Sequence, residues 1–138
     1  MRTMIILVAV LSAGLTVAAS DPAQAEPRSV EHLCHEHPQL VGKCFTIRGR
    51  MSYYNGTPSV RIWRIGTTRI LGVSEGRFKI PGFVNLPRKI ESKLSLHTDL
   101  FGDFVVCPFT PDEPGVMRLV CVDSAKDLKV RPKKRGDK

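Results

Sequence analysis

Aromatic and arginine side chains are interleaved in the middle of the 138-residue chain, between positions 53 and 69. Aromatic faces stack on sugar rings or bases and guanidinium groups bind phosphates or carboxylates, so the combination suits an anionic or carbohydrate partner. The simpler alternative is that the aromatic residues cap a core and that the stems of solvated arginines cover apolar surface. The candidate ligand-binding residues are Tyr54, Arg61, Trp63 and Arg69.

A second group of residues suggests metal binding, since His32, Cys34, His35 and His37 lie within six residues. Imidazole and thiolate are ligands for zinc or copper. A disulfide explains Cys34 better, however, and His35 and His37 do not share a face if this segment is helical. We therefore assign no metal ligand and interpret the cluster as a solvated polar segment.

No arrangement of residues predicts catalysis. The sequence has no G-x-S-x-G motif and no phosphate-binding loop, and only His97 lies outside the histidine cluster. The acidic residues are scattered, so Glu75, Asp99 and Asp103 would converge only through tertiary folding. We predict a protein that is not an enzyme and that carries no cofactor.

The first 25 residues have the pattern of a cleaved signal peptide. Arg2 precedes an apolar run at 4–17, and an Ala-Gln-Ala cleavage site ends at position 25. The run is shorter than the roughly 20 residues that a membrane-spanning helix needs. We therefore expect residues 1–25 to be removed and the mature chain to be periplasmic or secreted, and not an integral membrane protein.

All four cysteines lie in the predicted mature chain. An even count in an exported protein predicts two disulfides, for which three pairings are possible. We favour Cys34 with Cys44 and Cys107 with Cys121. Folding the last two predicted strands back about position 114 places Cys107 opposite Cys121, at the short Cα separation that a disulfide needs.

The chain is basic, with 21 Lys and Arg against 13 Asp and Glu and a formal net charge of +8. This excess favours anionic partners such as nucleic acid, acidic polysaccharide or anionic lipid, although a basic surface also serves solubility alone. Basic residues concentrate after position 125 while the apolar pattern fades. We therefore expect residues 124–138 to form a mobile basic tail.

Alternating apolar and polar residues predict three strands in the first part of the mature chain. Their predicted ranges are 41–51, 59–65 and 69–73. In the second strand, alternate positions place Arg61 and Trp63 on the face opposite to Val60. The Asn-Gly pair between the first two strands is typical of a tight turn.

The second part of the mature chain begins with a further short strand expected at 78–80. Asn85 is a good helix N-cap, and apolar residues four apart follow it, which predicts a short helix at 86–94. The runs at 104–109 and 116–122 are rich in Val and Phe, so they predict a final hairpin.

Three strands, a helix and two strands is the element order of the five-stranded OB barrel. We predict a mainly β fold, a small five-stranded OB-like barrel with one short helix between strands three and four. An immunoglobulin-like sandwich is the alternative, but it usually has about seven strands and no central helix. The predicted organisation is a signal peptide (1–25), an N-terminal segment (26–40), the barrel (41–123) and the basic tail (124–138).

The run FTIRGRMSYYNGTPSVRIWRIGTTRILGV, followed by VVCPFTP and GVMRLVCVDSA, resembles small exported bacterial proteins of uncharacterised function. The OB-like element order spans roughly residues 41–122. This resemblance implies a location in a bacterial cell envelope. It implies no particular chemistry.

The sequence thus favours an exported, non-catalytic binding or accessory module of the cell envelope. Its predicted strands two and three would contact an anionic polymer, a glycan or an envelope protein. The alternative is a structural or protein-interaction envelope protein without a ligand groove. Exposure of the Trp63 side chain distinguishes the two.

Overall fold

A computed structural model describes residues 33–134 of the chain. The predicted signal peptide at 1–25, residues 26–32 of the predicted N-terminal segment and residues 135–138 lie outside this described part. Within residues 33–134, no helix has the length and apolar character that crossing a membrane requires.

The described chain is mainly β and contains five strands, as the sequence predicts. The strands are β1 (Phe45–Tyr53), β2 (Val60–Arg64), β3 (Ile70–Val73), β4 (Thr98–Pro108) and β5 (Arg118–Pro132). They differ widely in length, from four residues in β3 to 15 in β5. The predicted strand at 78–80 is wrong, because these residues form a turn and irregular backbone.

The five strands form one sheet that closes on itself in the order β1-β2-β3-β5-β4. β1 pairs antiparallel with both β2 and β4, while β5 pairs antiparallel with β4 and parallel with β3. Closure of this kind removes the free edges that an open sheet exposes. It is uneven here, because β3 and β5 are paired at three positions whereas β4 and β5 are paired over most of their length.

Alternate strand residues point into the barrel and form its core. In β1, Ile47 and Met51 are buried, and in β2 Val60 and Ile62 are buried while Trp63 faces outward, as the alternation predicts. Burying a side chain of this size stabilises a fold by about 1.5 to 3 kcal/mol. The other buried members of this cluster are Leu71, Val73, Ile90, Leu94, Leu100, Phe104, Val106, Val120 and Val122.

A single helical turn, α1 (Arg88–Glu91), lies between β3 and β4, where the sequence predicts a longer helix at 86–94. Asn85 does not cap it. The Asn85 side-chain Nδ2 donates to the Ser74 carbonyl oxygen at 2.9 Å, and the Asn85 backbone carbonyl oxygen accepts from the Val122 N–H at 2.8 Å. Asn85 therefore links the end of β3 to β5, and the helix begins later.

Two glycines lie where the neighbouring strand leaves no room for a side chain, β2 beside Gly49 and β5 beside Gly102. Gly49 and Gly102 are partners across β1 and β4. A Cβ atom would lie 2.6 Å from Ile62 Cγ2 if added to Gly49, and 2.8 Å from the Lys126 carbonyl oxygen if added to Gly102. Gly102 also coincides with a register shift between β4 and β5, where a β-bulge commonly needs glycine.

Residues 33–44, which we call the N-terminal cap, cover part of the outer surface of β4 and β5. A short 3-10 helix in the cap, Cys34–Glu36, contacts both strands. The outward-facing residues Cys107, Phe109 and Cys121 are buried in a second apolar cluster, distinct from the barrel interior. The cap thus gives the sheet a second core on its outer side.

Both disulfides tie the cap to these strands, since Cys34 is bonded to Cys121 and Cys44 to Cys107. Two disulfides are predicted and two are present. The predicted pairing, Cys34 with Cys44 and Cys107 with Cys121, is wrong.

Strand register explains this correction. Cys107 and Cys121 are directly opposed in β4 and β5, as the hairpin predicts. Cys107 has a second neighbour, however, because continuing the β1 and β4 register from the Phe45 and Val106 pair places Cys44 opposite Cys107. These two cysteines are 63 residues apart in sequence, so no local turn reveals that they meet.

The predicted basic tail is also corrected. Residues 124–132 belong to β5, which pairs with β4 as far as Pro132. β4 begins at Thr98 and not at position 104. Its longer course gives the basic segment a pairing partner and extends the sheet beyond the predicted boundary at 123.

Candidate functional site

A row of alternating aromatic and basic side chains crosses four strands on the outer surface of the barrel. Register places Arg50 of β1 opposite Trp63 of β2 on one side and opposite Phe101 of β4 on the other. Phe101 is in turn opposite Lys129 of β5. Directly opposed residues point to the same face of a sheet, so these four side chains are neighbours.

Two arginines lie over the aromatic rings of this row. Arg50 Cζ lies 5.3 Å from the centroid of the Trp63 ring, and Arg131 Cζ lies 5.6 Å from the centroid of the Phe101 ring. Trp63 Nε1 donates to the Thr67 carbonyl oxygen at 2.7 Å, which fixes the indole. Each ring therefore has positive charge against its face, an attractive arrangement.

A second row lies beside the first and contains Arg61 of β2, Ser52 of β1, Asp99 of β4 and Arg131 of β5. Asp99 is opposite Arg131, and its Oδ1 atom accepts a hydrogen bond from Ser52 Oγ. Arg50 Nη1 lies 3.8 Å from Asp99 Oδ2. Asp99 is 4% exposed, and a carboxylate so buried needs partners that compensate its charge. The contact between Asp99 Oδ2 and Arg50 Nη1 also helps to hold the Arg50 guanidinium in place.

The two rows border a cleft of about 410 Å³, a volume within the range of small-molecule sites. Trp63 and Phe101 supply its aromatic surface. Of the described residues that line it, three are basic and one is acidic, so the cleft attracts anions. These residues are Arg50, Trp63, Asp99, Phe101, Arg131, Pro132 and Lys134.

Tyr54 extends this surface past the end of β1. Arg61 Cζ lies 5.2 Å from the centroid of its ring and Lys133 Nζ lies 5.9 Å from it. Arg50 Nη2 donates to Tyr54 Oη at 3.5 Å. We call this surface the aromatic-basic face. Its members are Arg50, Tyr54, Arg61, Trp63, Asp99, Phe101 and Arg131, with Lys129, Lys133 and Lys134 at the rim.

Arg69 is the one predicted ligand-binding residue that lies elsewhere. Its Nη2 atom is ion-paired with Asp112, and its Nη1 atom donates to the Glu113 carbonyl oxygen at 3.3 Å. Both partners lie in the loop between β4 and β5. Arg69 lines a different, smaller cleft together with Arg118.

Sequence reasoning missed much of the aromatic-basic face. Arg50 is visible as an outward position in the first predicted strand, but nothing local marks it as a binding residue. Phe101 precedes the predicted strand at 104–109, and Arg131 falls in the predicted tail. Their assembly depends on the pairing of β1 with β4 and on the full length of β5.

Of the histidines considered as metal ligands, His32 lies outside the described residues, and His35 and His37, which are described, each have another partner. His35 Nδ1 lies 2.7 Å from Asp123 Oδ1. His37 is buried, its Nε2 donates to the Phe78 carbonyl oxygen at 3.0 Å, and its Nδ1 accepts from the Gln39 N–H at 3.2 Å. Both ring nitrogens of His37 are therefore occupied, and its role is to hold the cap.

The three carboxylates considered for catalysis have separate partners. Asp103 pairs with Arg48 at 3.1 Å, and Asp99 belongs to the aromatic-basic face. Glu75 accepts hydrogen bonds from the Ser59 hydroxyl and from the Ser59 N–H, the latter at 2.7 Å. The Ser59 hydroxyl is the main cause that lowers the pKa of Glu75 below its usual value.

Comparison with protein-family models, with curated proteins and with solved structures found no match to this chain. A function has to be inferred from the contacts, burial and charge of the aromatic-basic face itself.

Proposed function

We propose that the protein is a non-catalytic binding module that holds an acidic glycan on its aromatic-basic face. The observation that carries the proposal is the row in which Arg50 lies between Trp63 and Phe101, with an arginine against each ring. Aromatic faces pack against the C–H face of a sugar ring, and guanidinium groups bind carboxylates through two hydrogen bonds. An acidic sugar offers both kinds of contact in one unit.

Asp99 favours a glycan over a nucleic acid. Its carboxylate is an acceptor in the cleft, and every sugar unit carries hydroxyl donors. A DNA backbone presents only acceptors and negative charge to this carboxylate, whereas each unit of an acidic glycan presents hydroxyl donors beside its own acidic group. Arg50, Arg131 and Lys134 line the same cleft, and their positive charge attracts the acidic groups of the sugar.

The strand order supports an OB barrel as the more specific fold. The order β1-β2-β3-β5-β4, the parallel pairing of β3 with β5 and the helical turn before β4 agree with the OB arrangement. OB barrels bind oligosaccharides and oligonucleotides, usually on strands two and three. The aromatic-basic face instead uses β2, β1, β4 and β5, so we propose a ligand path displaced from the usual one.

The two disulfides support an exported protein. They are typical of oxidising compartments, because the cytosol keeps thiols reduced. Together with the signal peptide predicted at 1–25, they favour a periplasmic or secreted accessory module of the cell envelope.

Fluorescence tests the proposal directly, because Trp63 is the only tryptophan of the chain. A polyuronate oligosaccharide titrated into the disulfide-intact protein should change the emission in a saturable way. A neutral glucan of equal length should not. If an oligonucleotide of equal charge binds more tightly than the polyuronate, the glycan is rejected as the ligand. The aromatic-basic face would then still be an anion-binding surface.

Two variants show whether the signal arises at the proposed face. Arg131→Gln should weaken polyuronate binding, because Arg131 stacks on Phe101 beside the cleft. Arg69→Gln is the matched control, since Arg69 is engaged with Asp112 away from this face, and it should bind like the wild type. If neither polyanion moves the emission, the proposal fails in favour of a structural or protein-interaction protein without a ligand groove.

A further inference from the structure

The two disulfides lie against each other beneath the cap. The sulfur atoms of Cys34, Cys107 and Cys121 all lie within 4.8 Å of one another, although they belong to two different bonds. The Cys121 sulfur also lies 3.8 Å from the Cys107 carbonyl oxygen. A thiolate formed at Cys107 would therefore have the other disulfide within reach.

Access distinguishes the four cysteines. Cys44 is partly exposed and lies immediately before β1, whereas Cys34, Cys107 and Cys121 are no more than 2% exposed. Thiol-disulfide exchange proceeds by attack of a thiolate on a sulfur that it can reach. A reductant in solution should therefore attack Cys44 first and release Cys107 as the leaving group.

We propose that Cys44 is a thiol-exchange site for an external dithiol and that the exchange passes on to the second disulfide. The dithiol thiolate attacks Cys44 Sγ, the bond between Cys44 and Cys107 breaks, and a mixed disulfide forms on Cys44. The Cys107 thiolate then attacks Cys121 Sγ. The bond between Cys107 and Cys121 forms, and the Cys34 thiolate leaves.

The second thiol of the reagent completes the reaction by displacing Cys44 from the mixed disulfide. The dithiol is oxidised by two electrons to its own disulfide, and its two protons end on the thiols of Cys34 and Cys44. The chain gains two thiols, and its one remaining disulfide joins Cys107 to Cys121.

The product fits the fold. Cys107 and Cys121 are directly opposed in β4 and β5, where the Cα separation suits a disulfide. A thiolate left on Cys107 would be buried within β4, which pairs with a strand on each side, whereas Cys34 lies in the short 3-10 helix of the cap, outside the sheet, so its thiolate can reach water without breaking strand pairing. The exchange therefore releases both tethers of the cap while it fastens the two longest strands together.

Limited reduction of the full, oxidised chain tests the proposal. The protein is treated with less than one equivalent of dithiothreitol, trapped with N-ethylmaleimide and mapped by mass spectrometry of its peptides. The two-electron-reduced species should carry label on Cys34 and Cys44 and a disulfide between Cys107 and Cys121. Label on Cys44 and Cys107, or on Cys34 and Cys121, would overturn the proposal, because each shows simple reduction of one original bond.

The Cys44→Ser variant gives a second test that needs no reductant. It keeps three cysteines, so its single free thiol reports which bond is present. After incubation at mildly alkaline pH the label should lie predominantly on Cys34, with Cys107 joined to Cys121. Label that stays on Cys107, in a variant whose circular dichroism matches the wild type, would refute exchange between the two disulfides.

Discussion

The outer surface of β4 and β5 differs between its two ends. Near the loop that connects the strands, Cys107, Phe109 and Cys121 are buried under the N-terminal cap. At the far end, Phe101 is partly exposed and Arg131 is exposed, and both are part of the aromatic-basic face. One pair of strands thus carries a covered outer surface and an open one.

Composition explains the difference. An apolar outer surface has to be covered, because water contact costs about 25 cal/mol for each Å² of it. The cap supplies the cover and the disulfides fix it. Arginine stacked on an aromatic ring tolerates water on its other side, so the far end can stay open. We infer that the covered end serves stability and that the open end serves binding.

The largest effect should come from removing one tether of the cap. The Cys34→Ala/Cys121→Ala variant opens a connection between residues 87 apart in sequence. Because the Cys44–Cys107 disulfide remains, the loop that opens runs through it and spans roughly 25 residues, for which the chain-entropy model gives a loss of about 3 to 4 kcal/mol in the free energy of unfolding, to be measured by urea denaturation. Polyuronate affinity, measured under conditions where the variant is folded, should be unchanged. A folded variant with weakened affinity would show that the two ends are coupled.

His37→Ala should have the next largest effect, again on stability alone. The substitution leaves the Gln39 N–H and the Phe78 carbonyl oxygen without their partner and removes the ring contacts with Phe83 and Phe109. We expect a loss of about 2 to 4 kcal/mol in thermal or urea unfolding.

His97→Ala is the matched control for this prediction. His97 is exposed, and its hydrogen bonds with Ser95 and Lys133 are made by its backbone, which alanine keeps. Equal stability of the two variants would mean that the cap does not depend on its buried histidine.

Phe101→Ala should act at the open end and weaken binding by about 1 to 3 kcal/mol through lost stacking. Its salt dependence should match that of the wild type, since no charge is removed. Arg131→Gln should instead reduce the slope of log affinity against log salt concentration by about one, because one cationic contact with the polyanion is lost. Isothermal titration at several salt concentrations measures both. If the slope for Arg131→Gln equals that of the wild type, Arg131 does not contact the anionic groups of the ligand.

The smallest effect concerns Glu75, which belongs to neither end. Its pKa in the folded protein is lowered, chiefly by the Ser59 hydroxyl, so it stabilises the fold above its unfolded pKa and loses this contribution as pH falls through the folded value. Ser59→Ala should raise the pKa of Glu75 and make stability fall less steeply over that acid range. Side-chain carboxyl NMR measures the shift. If Glu75 titrates in Ser59→Ala as it does in the wild type, the Ser59 hydroxyl is not the cause of its lowered pKa.

Local patterns predict the parts of this fold that depend on near neighbours. The alternation in β2 places Ile62 inside and Trp63 outside, because one face of the strand meets the core. The loop between β4 and β5 correctly places Cys107 opposite Cys121. Inward and outward positions, and the register of a hairpin, are fixed by residues close in sequence.

The parts that were missed depend on distant segments. Cys107 bonds to Cys44 because β1 pairs with β4, and Arg50 meets Phe101 for the same reason. In β5 the residues after 123 are mostly exposed and lack a clear alternation, apart from Ala125 and Leu128, which pack against the core. Register shifts between β4 and β5 interrupt the alternation further, so the pattern resembles a tail although it has a partner.

Amide shift mapping tests most directly whether the open end binds the ligand while the covered end does not. The isotope-labelled, disulfide-intact chain is titrated with polyuronate and followed by two-dimensional NMR. The largest changes should fall on Arg50, the Trp63 indole N–H and Phe101, while the amides of Cys107 and Cys121 under the cap should not move. Changes confined to the cap, or centred on the loop between β4 and β5 that holds Arg69, would contradict a binding role for the open end.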